Sequence, residues 1–108
     1  MRKMSWAYIG GFFDGEGCLH HSKRRTRDYF ASVTQLTRAA KVLHEMSAFL
    51  LARGIANSCR AFRVKGRGIA MTYLRITGRR AVRRFLRFVL PYLRVKRAEA
   101  LVAIHVTK

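Results

Sequence analysis

The stretch Ile9-Gly10-Gly11-Phe12-Phe13-Asp14-Gly15-Glu16-Gly17 decides the fold. Ser5 stands ahead of it as an N-cap, and Trp6, Ala7, Tyr8, Ile9, Phe12 and Phe13 follow at helical spacing. This predicts a helix from Trp6 to about Gly15, broken by Gly17. Gly10, Gly11 and Gly15 each cost that helix about 1 kcal/mol relative to alanine, so a packing gain must offset them. Gly11 and Gly15 are four apart and share a face, where missing side chains let another backbone approach. The spacing leaves open whether that backbone is the chain's own sheet or a second helix. Asp14 and Glu16 sit at the helix C-terminus, where the macrodipole disfavours each by about 0.3–1 kcal/mol. A divalent cation would reverse the sign of that cost, and local rules are most often broken at functional sites.

Around this stretch lie 108 residues with Lys+Arg 23 against Asp+Glu 5, a formal net charge of +18, and 50% hydrophobic residues. The length fits a single domain, residues 1–108, and the apolar residues spread through every segment exclude a disordered basic tail. So large an excess of positive charge calls for a polyanionic partner, nucleic acid first, because each neutralised phosphate releases counterions. The acids set the tighter bound: any carboxylate site must draw on Asp14, Glu16, Asp28, Glu45 and Glu99. Cys18 and Cys59 stand apart without zinc or disulfide spacing and read as reduced thiols. No signal core opens the chain and no stretch approaches a membrane span. The expectation is an intracellular, DNA-associated protein with no membrane partner, bacterial cytoplasm and organelle being indistinguishable.

Cys18 to Arg25 and Asp28 to Gln35 read as strands joined at Arg25-Thr26-Arg27. Thr37 reads as the cap of a second helix to about Arg53, with Leu43, Met46 and Leu50 on one face and Gly54 as its stop. Ser58 to Val64 and Ile69 to Thr77 flank the hairpin turn Lys65-Gly66-Arg67-Gly68. Thr77-Gly78 opens a third helix, apolar through Ala81, Val82, Phe85, Leu86 and Val89, with Arg79, Arg80, Arg83, Arg84 and Arg87 opposite, ended at Pro91. A last helix from about Val95 to Val106 carries Ala98, Leu101, Val102 and His105 on one side. The order α-β-β-α-β-β-α-α predicts an α+β domain with an antiparallel sheet and helices on one face.

The opening stretch, with Trp6 and Tyr8 before it, resembles the LAGLIDADG motif of homing endonucleases. Val33-Thr34-Gln35 is similar to the family's "VTQ", and Leu90-Pro91-Tyr92-Leu93-Arg94-Val95-Lys96-Arg97 to its "PFLKLKQK"-type segment. The resemblance implies the α-β-β-α-β-β-α homing-endonuclease fold, its antiparallel sheet a DNA-binding saddle with helices on the opposite face. It places Glu16 at the motif's final acid, which holds a divalent metal, Mg²⁺ or Mn²⁺, at the scissile phosphate. Asp14 takes the first acidic position, more often structural. Gln35 matches a position near the attacking water, and Lys96 a basic residue that positions or polarises water and phosphate. A further basic residue usual in the family is replaced by Ala39, with Arg38 beside it. One carboxylate per chain is too few for metal-assisted phosphodiester hydrolysis. Single-motif chains of the family dimerise through this helix, which implies a homodimer with Tyr8, Gly11, Phe12 and Gly15 at its interface.

Alternation from Glu16 places Cys18, His20, Ser22 and Arg24 on the DNA-facing side, and reading Tyr29, Ala31 and Val33 as core puts Asp28, Phe30 and Ser32 there on the next strand. Ser58, Arg60, Tyr73 and Arg75 follow from the second hairpin, and Arg25, Arg27, Arg63, Lys65 and Arg67 from the tips. A two-stranded ribbon fits the major groove, where arginine can bind guanine O6 and N7 together. The Arg79–Arg87 face reads either as a solvated helix surface or as a phosphate- or RNA-contacting one. His44 and His105 read as packing or surface residues. The function expected is a sequence-specific endonuclease that hydrolyses both strands of a long near-palindromic DNA site; the family resemblance further implies 3′ overhangs and intron homing, the chain intron-encoded or free-standing rather than intein-embedded. The alternatives are an intron RNA maturase or a non-catalytic DNA-binding regulator on the same scaffold, and, from charge alone, a ribosomal-type RNA-binding protein.

Overall fold

A computed structural model of the chain describes residues 3–22 and 28–108. Helix α1 (Trp6–Glu16) starts as expected, with Ser5 Oγ accepting the Tyr8 N–H at 3.1 Å. Strands β1 (Gly17–His21) and β2 (Tyr29–Leu36) follow, then a 3-10 turn (Thr37–Ala39) and α2 (Lys41–Ala52). Strands β3 (Ser58–Arg63) and β4 (Ala70–Ile76) lead to α3 (Arg79–Val89), a 3-10 turn (Leu90–Tyr92) and α4 (Arg97–Val106). The strands form one antiparallel sheet in the order β1-β2-β4-β3.

Register fixes which side chains meet the helices. Gly17 pairs with Val33, Val33 with Leu74 and Leu74 with Cys59, while Leu19, Ala31 and Ile76 make the next inward row. These residues meet Ile9 and Phe13 of α1, Leu43, Met46 and Leu50 of α2, and Val82, Phe85, Leu86 and Val89 of α3 in one core. Phe13 and Phe85 pack edge to face, 5.3 Å between centroids. The inward hydroxyl of buried Thr72 is satisfied by Thr37 Oγ1 at 3.1 Å. Among the described residues, a positive φ calls for glycine at Gly54, Gly66, Gly68 and Gly78. Gly54, at φ 77, ends α2, and Gly78, at φ 92, turns the chain into α3.

Several expectations need correction. Thr37 does not cap α2: its hydroxyl is bonded to Thr72, a 3-10 turn intervenes, and α2 begins after Ala40 without a side-chain cap. Helix α4 begins at Arg97 rather than Val95, because Arg94, Val95 and Lys96 point their N–H groups at Asp14. Its buried face is also not the one expected. Ala100 and Ala103 are buried, whereas Leu101 and Val102 are exposed by 47% and 54%. Seven of the ten positions of α4 are apolar and they are spread round the helix, so periodicity could not choose a face, and the small residues are the ones that let α4 close onto its neighbours. Strand β1 ends at His21, short of Arg25, and β2 starts at Tyr29 rather than Asp28. Among the described residues no helix is long and apolar enough to cross a membrane.

Candidate active site and nucleic-acid interface

Helix α1 must stop at Glu16 because Gly17 turns extended (φ -87, ψ 172), its N–H still closing on the Phe13 carbonyl. A Cβ on Gly17 would overlap the Phe13 ring and sit 2.7 Å from that carbonyl oxygen, so only glycine fits the junction. The last turn leaves orphan carbonyls, and one of them, on Asp14, accepts the Lys96 Nζ at 2.7 Å. The Asp14 carboxylate accepts N–H groups from Arg94 and Val95 at 3.1 Å each and from Lys96 at 2.9 Å. The Lys96 N–H is the largest cause holding the Asp14 carboxyl below its ordinary value of 3.8. Desolvation opposes it, and the Val95 and Arg94 N–H groups and the Lys96 charge add to it. The acid that α1 disfavours at its C-terminus is therefore favoured by the N-terminus of α4.

Among the described residues Glu16 has no such clasp. It is exposed at the junction of α1 and β1, two residues beyond the carbonyl that Lys96 holds. Gln35 lies two residues past Val33, the partner of Gly17, and pairs with Thr72. It is half-buried at the same end of the sheet as Glu16. Arg38 sits in the following 3-10 turn and lines a hollow with Leu36, Ile69 and Ala70.

The sheet's outer face is open. Cys18, Ser32, Arg75 and Ser58 form one row across the four strands, and Thr34, Tyr73 and Arg60 the next. His20 stacks on Phe30 at 4.4 Å, with its Nε2 3.4 Å from Ser32 Oγ. The Arg75 guanidinium carbon lies 4.6 Å from the Tyr73 ring centroid and 5.4 Å from that of Phe30, so two aromatic faces hold it. The face assignments made from alternation thus agree with the register for His20, Ser32, Ser58, Arg60, Tyr73 and Arg75. Thr34, Phe62 and Met71 share this surface and were missed, although extending the same alternation would have found them. Ala61 pairs with Thr72 on the inner side but is exposed, because β3 is the sheet edge.

Other expected contacts stand apart from this row. Ser22 is half-buried and its N–H donates to the Asp28 carbonyl at 2.8 Å. Asp28 pairs with Arg79 Nε at 3.2 Å, which draws it to the start of α3. Arg63 donates to the Gly68 carbonyl at 2.7 Å and thereby braces the hairpin turn that exposes Lys65 and Arg67. Arg24, Arg25 and Arg27 lie outside the described residues. Two of the arginines of α3 have a use inside the chain that neither reading of this face included. Arg83 donates to the Thr107 carbonyl at 2.9 Å, and Arg84 to those of Gly54 and Arg53 at 3.0 and 3.3 Å. They fasten the C-terminal ends of α4 and α2, where unsatisfied carbonyls favour a cation. Arg80 and Arg87 remain exposed. His44 Nδ1 lies 3.6 Å from Cys59 Sγ, and burial pushes that thiol's pKa up.

The glycines of α1 divide by face. A Cβ at Gly10 would meet Tyr92 Cβ at 2.7 Å, so Gly10 serves packing within the chain. At Gly11 and Gly15 it would meet nothing within 4 Å, and both are exposed beside half-buried Phe12 and exposed Tyr8, whose rings stack at 6.1 Å. Among the described residues no group of three or more His, Cys, Asp or Glu converges to hold a metal ion. The exposed Glu16 carboxylate is a hard oxygen donor of the kind Mg²⁺ takes, while both oxygens of Asp14 are committed to backbone N–H groups.

Comparison with known proteins agrees with this arrangement. Two structures of the homing endonuclease I-CvuI bound to DNA share the fold. One, on the I-CreI target with 2 mM Mg and the DNA not cleaved, has 22% identity and a TM-score of 0.71. The other, on its own target with 2 mM Ca, has 23% identity and a TM-score of 0.73. Each match covers 94% of this chain and 64% of that chain, so this chain spans less than two thirds of the endonuclease's length. These likenesses establish the α+β homing-endonuclease fold. No curated protein matches the chain in sequence. The sequence model of the LAGLIDADG-like domain matches residues 4–89, the helix that carries the acids through the end of α3, and the chain belongs to that family.

Proposed function

We propose that the chain is a sequence-specific DNA endonuclease, residues 1–108 forming one domain that acts as a homodimer on a long near-palindromic site. The observation that carries the proposal is the exposed Glu16 carboxylate, set at the junction of α1 and β1 beside a lysine anchored two residues away. The open sheet face supplies Arg60, Tyr73 and Arg75 for the groove, and the formal charge of +18 supplies phosphate affinity. I-CvuI in the two similar structures is bound to DNA, with Mg in one and Ca in the other, which supports the same partner and a divalent ion here.

Glu16 from each of two copies would hold the ion, since among the described residues one chain brings a single uncommitted carboxylate to the site. When bound, Mg²⁺ or Mn²⁺ supplies an activated water and a neutralised leaving oxygen. Gln35 orients water by its amide at the strand end, and the Lys96 ammonium holds positive charge against the phosphate. The aromatic-held Arg75 and the rows beside it fix the register of the duplex. The exposed stripe of Tyr8, Gly11, Phe12 and Gly15 is the surface on which the second copy packs.

The test is Glu16→Gln, assayed on a DNA selected by the unaltered protein from a randomised palindrome library with Mg²⁺. The variant is expected to bind that DNA with unchanged affinity and to lose cleavage. Undiminished cleavage by it would defeat the proposal.

A further inference from the structure

We infer that Asp14 is the positioning residue of Lys96: it sets the lysine's ammonium against the end of α1 where Glu16 stands. This rests on the endonuclease reading above and deepens it. Four hydrogen bonds join the two residues' surroundings. The Asp14 carboxylate accepts the N–H groups of Arg94, Val95 and Lys96, and the Asp14 carbonyl accepts the Lys96 Nζ. The first three place the Lys96 backbone, and the fourth places its charge.

The geometry has a physical reason. Helix α1 ends at Glu16, so the Asp14 carbonyl is one of the orphan acceptors of its last turn. A cation there is favoured by the macrodipole, and a lysine stem reaches it only if its Cα is brought close. The carboxylate does this by collecting the N–H groups that precede α4, for which Lys96 is the N-cap. A lysine side chain left to itself samples many rotamers, and holding it at one place removes that freedom before substrate arrives. Both Asp14 carboxylate oxygens are taken up by these N–H groups, so the residue acts through Lys96. A purely structural brace would need the carboxylate and the backbone, but it would not need the ammonium to return to the carbonyl of the same residue.

Asp14→Asn separates the two roles. The carboxamide keeps the shape but replaces one acceptor oxygen with a donor, set against N–H groups that already donate. With the selected DNA target and Mg²⁺, single-turnover cleavage is expected to fall about ten- to hundredfold while the Kd for DNA stays the same. In the Lys96→Met background, the same substitution is expected to cost no further cleavage rate, because it acts through the lysine. An equal loss in both backgrounds, or normal cleavage by Asp14→Asn, would overturn the inference and leave the endonuclease reading standing. Failure of the unaltered protein to cut would sink both.

Should Asp14→Asn not fold, two measurements on the unaltered protein decide the matter. Hydrogen exchange must show the amides of Arg94, Val95 and Lys96 protected although they precede α4, and the Lys96 Nζ must give a slowed-exchange ¹H–¹⁵N signal. Open-chain exchange at all four groups would refute the clasp and the inference together.

Discussion

Alanine placed at Gly10 and at Gly11 should have opposite consequences, although the two positions are neighbours in one helix. Both substitutions gain the same helix propensity, about 1 kcal/mol, so that contribution cancels when they are compared. What remains is the contact each new methyl group makes. At Gly10 it would lie 2.7 Å from Tyr92 Cβ, an atom next to the backbone of the 3-10 turn, which cannot swing away. Overpacking of that kind costs about 1–3 kcal/mol. At Gly11 it would meet nothing within 4 Å. The expected gap in stability is therefore about 1–3 kcal/mol, or about 4–8 °C of Tm for each kcal/mol in a domain near this size. Thermal melts at a concentration low enough to keep the chain monomeric would measure it, with Gly11→Ala at or above the unaltered protein. Sedimentation at higher concentration should then show Gly11→Ala weakening self-association. Equal melting temperatures for the two variants would refute the packing argument. Unchanged self-association in Gly11→Ala would refute the use of that face by a second copy.

Asp14 provides a second prediction. Its carboxyl is held below 3.8, so its contribution to stability is complete above that value and disappears as pH falls through the lower folded-state value. Denaturant unfolding of the unaltered protein and Asp14→Asn should therefore differ by a constant amount at neutral pH, the gap narrowing only below about pH 4. A gap that narrows between pH 5 and 7 would contradict this. Arg84→Ala should lower stability by about 1 kcal/mol, through loss of the bonds to the Arg53 and Gly54 carbonyls, without changing the salt dependence of DNA binding. A reduced salt slope would instead place Arg84 on phosphate. Arg75→Ala should cost about 1–3 kcal/mol of discrimination at one base pair of each half-site, read by cleavage of a library randomised there. A uniform loss across all sequences would make Arg75 a phosphate contact.

Local rules recovered much of this protein. The Ser5 cap, the Gly54 stop and the Gly66 and Gly68 turn each depend on a residue whose own chemistry dictates the backbone, and each is present. Strand faces followed from a period of two, counted from Glu16 on the first strand and from the apolar residues on the others, and the register placed His20, Ser32 and Arg75 where counting put them. The α4 face was beyond reach because its sequence is apolar nearly all round, so local pattern carried no direction. Thr37 looked like a cap because a cap and a cross-element hydroxyl pair require the same side chain, and only Thr72 decides between them.

The sequence by itself determined the order of helices and strands, which depends on neighbours within a few residues, together with the net charge and the acid at the end of α1. Only the tertiary structure decided what the same residue types are used for. Gly10 meets Tyr92 while Gly11 is left open, and Asp14 is taken up by residues 94–96 while Glu16 remains exposed. Arg83 and Arg84 became fasteners for two helix ends rather than a basic surface. In each case the partner lies tens of residues away along the chain, and a contact between such residues exists only once the sheet and helices have packed.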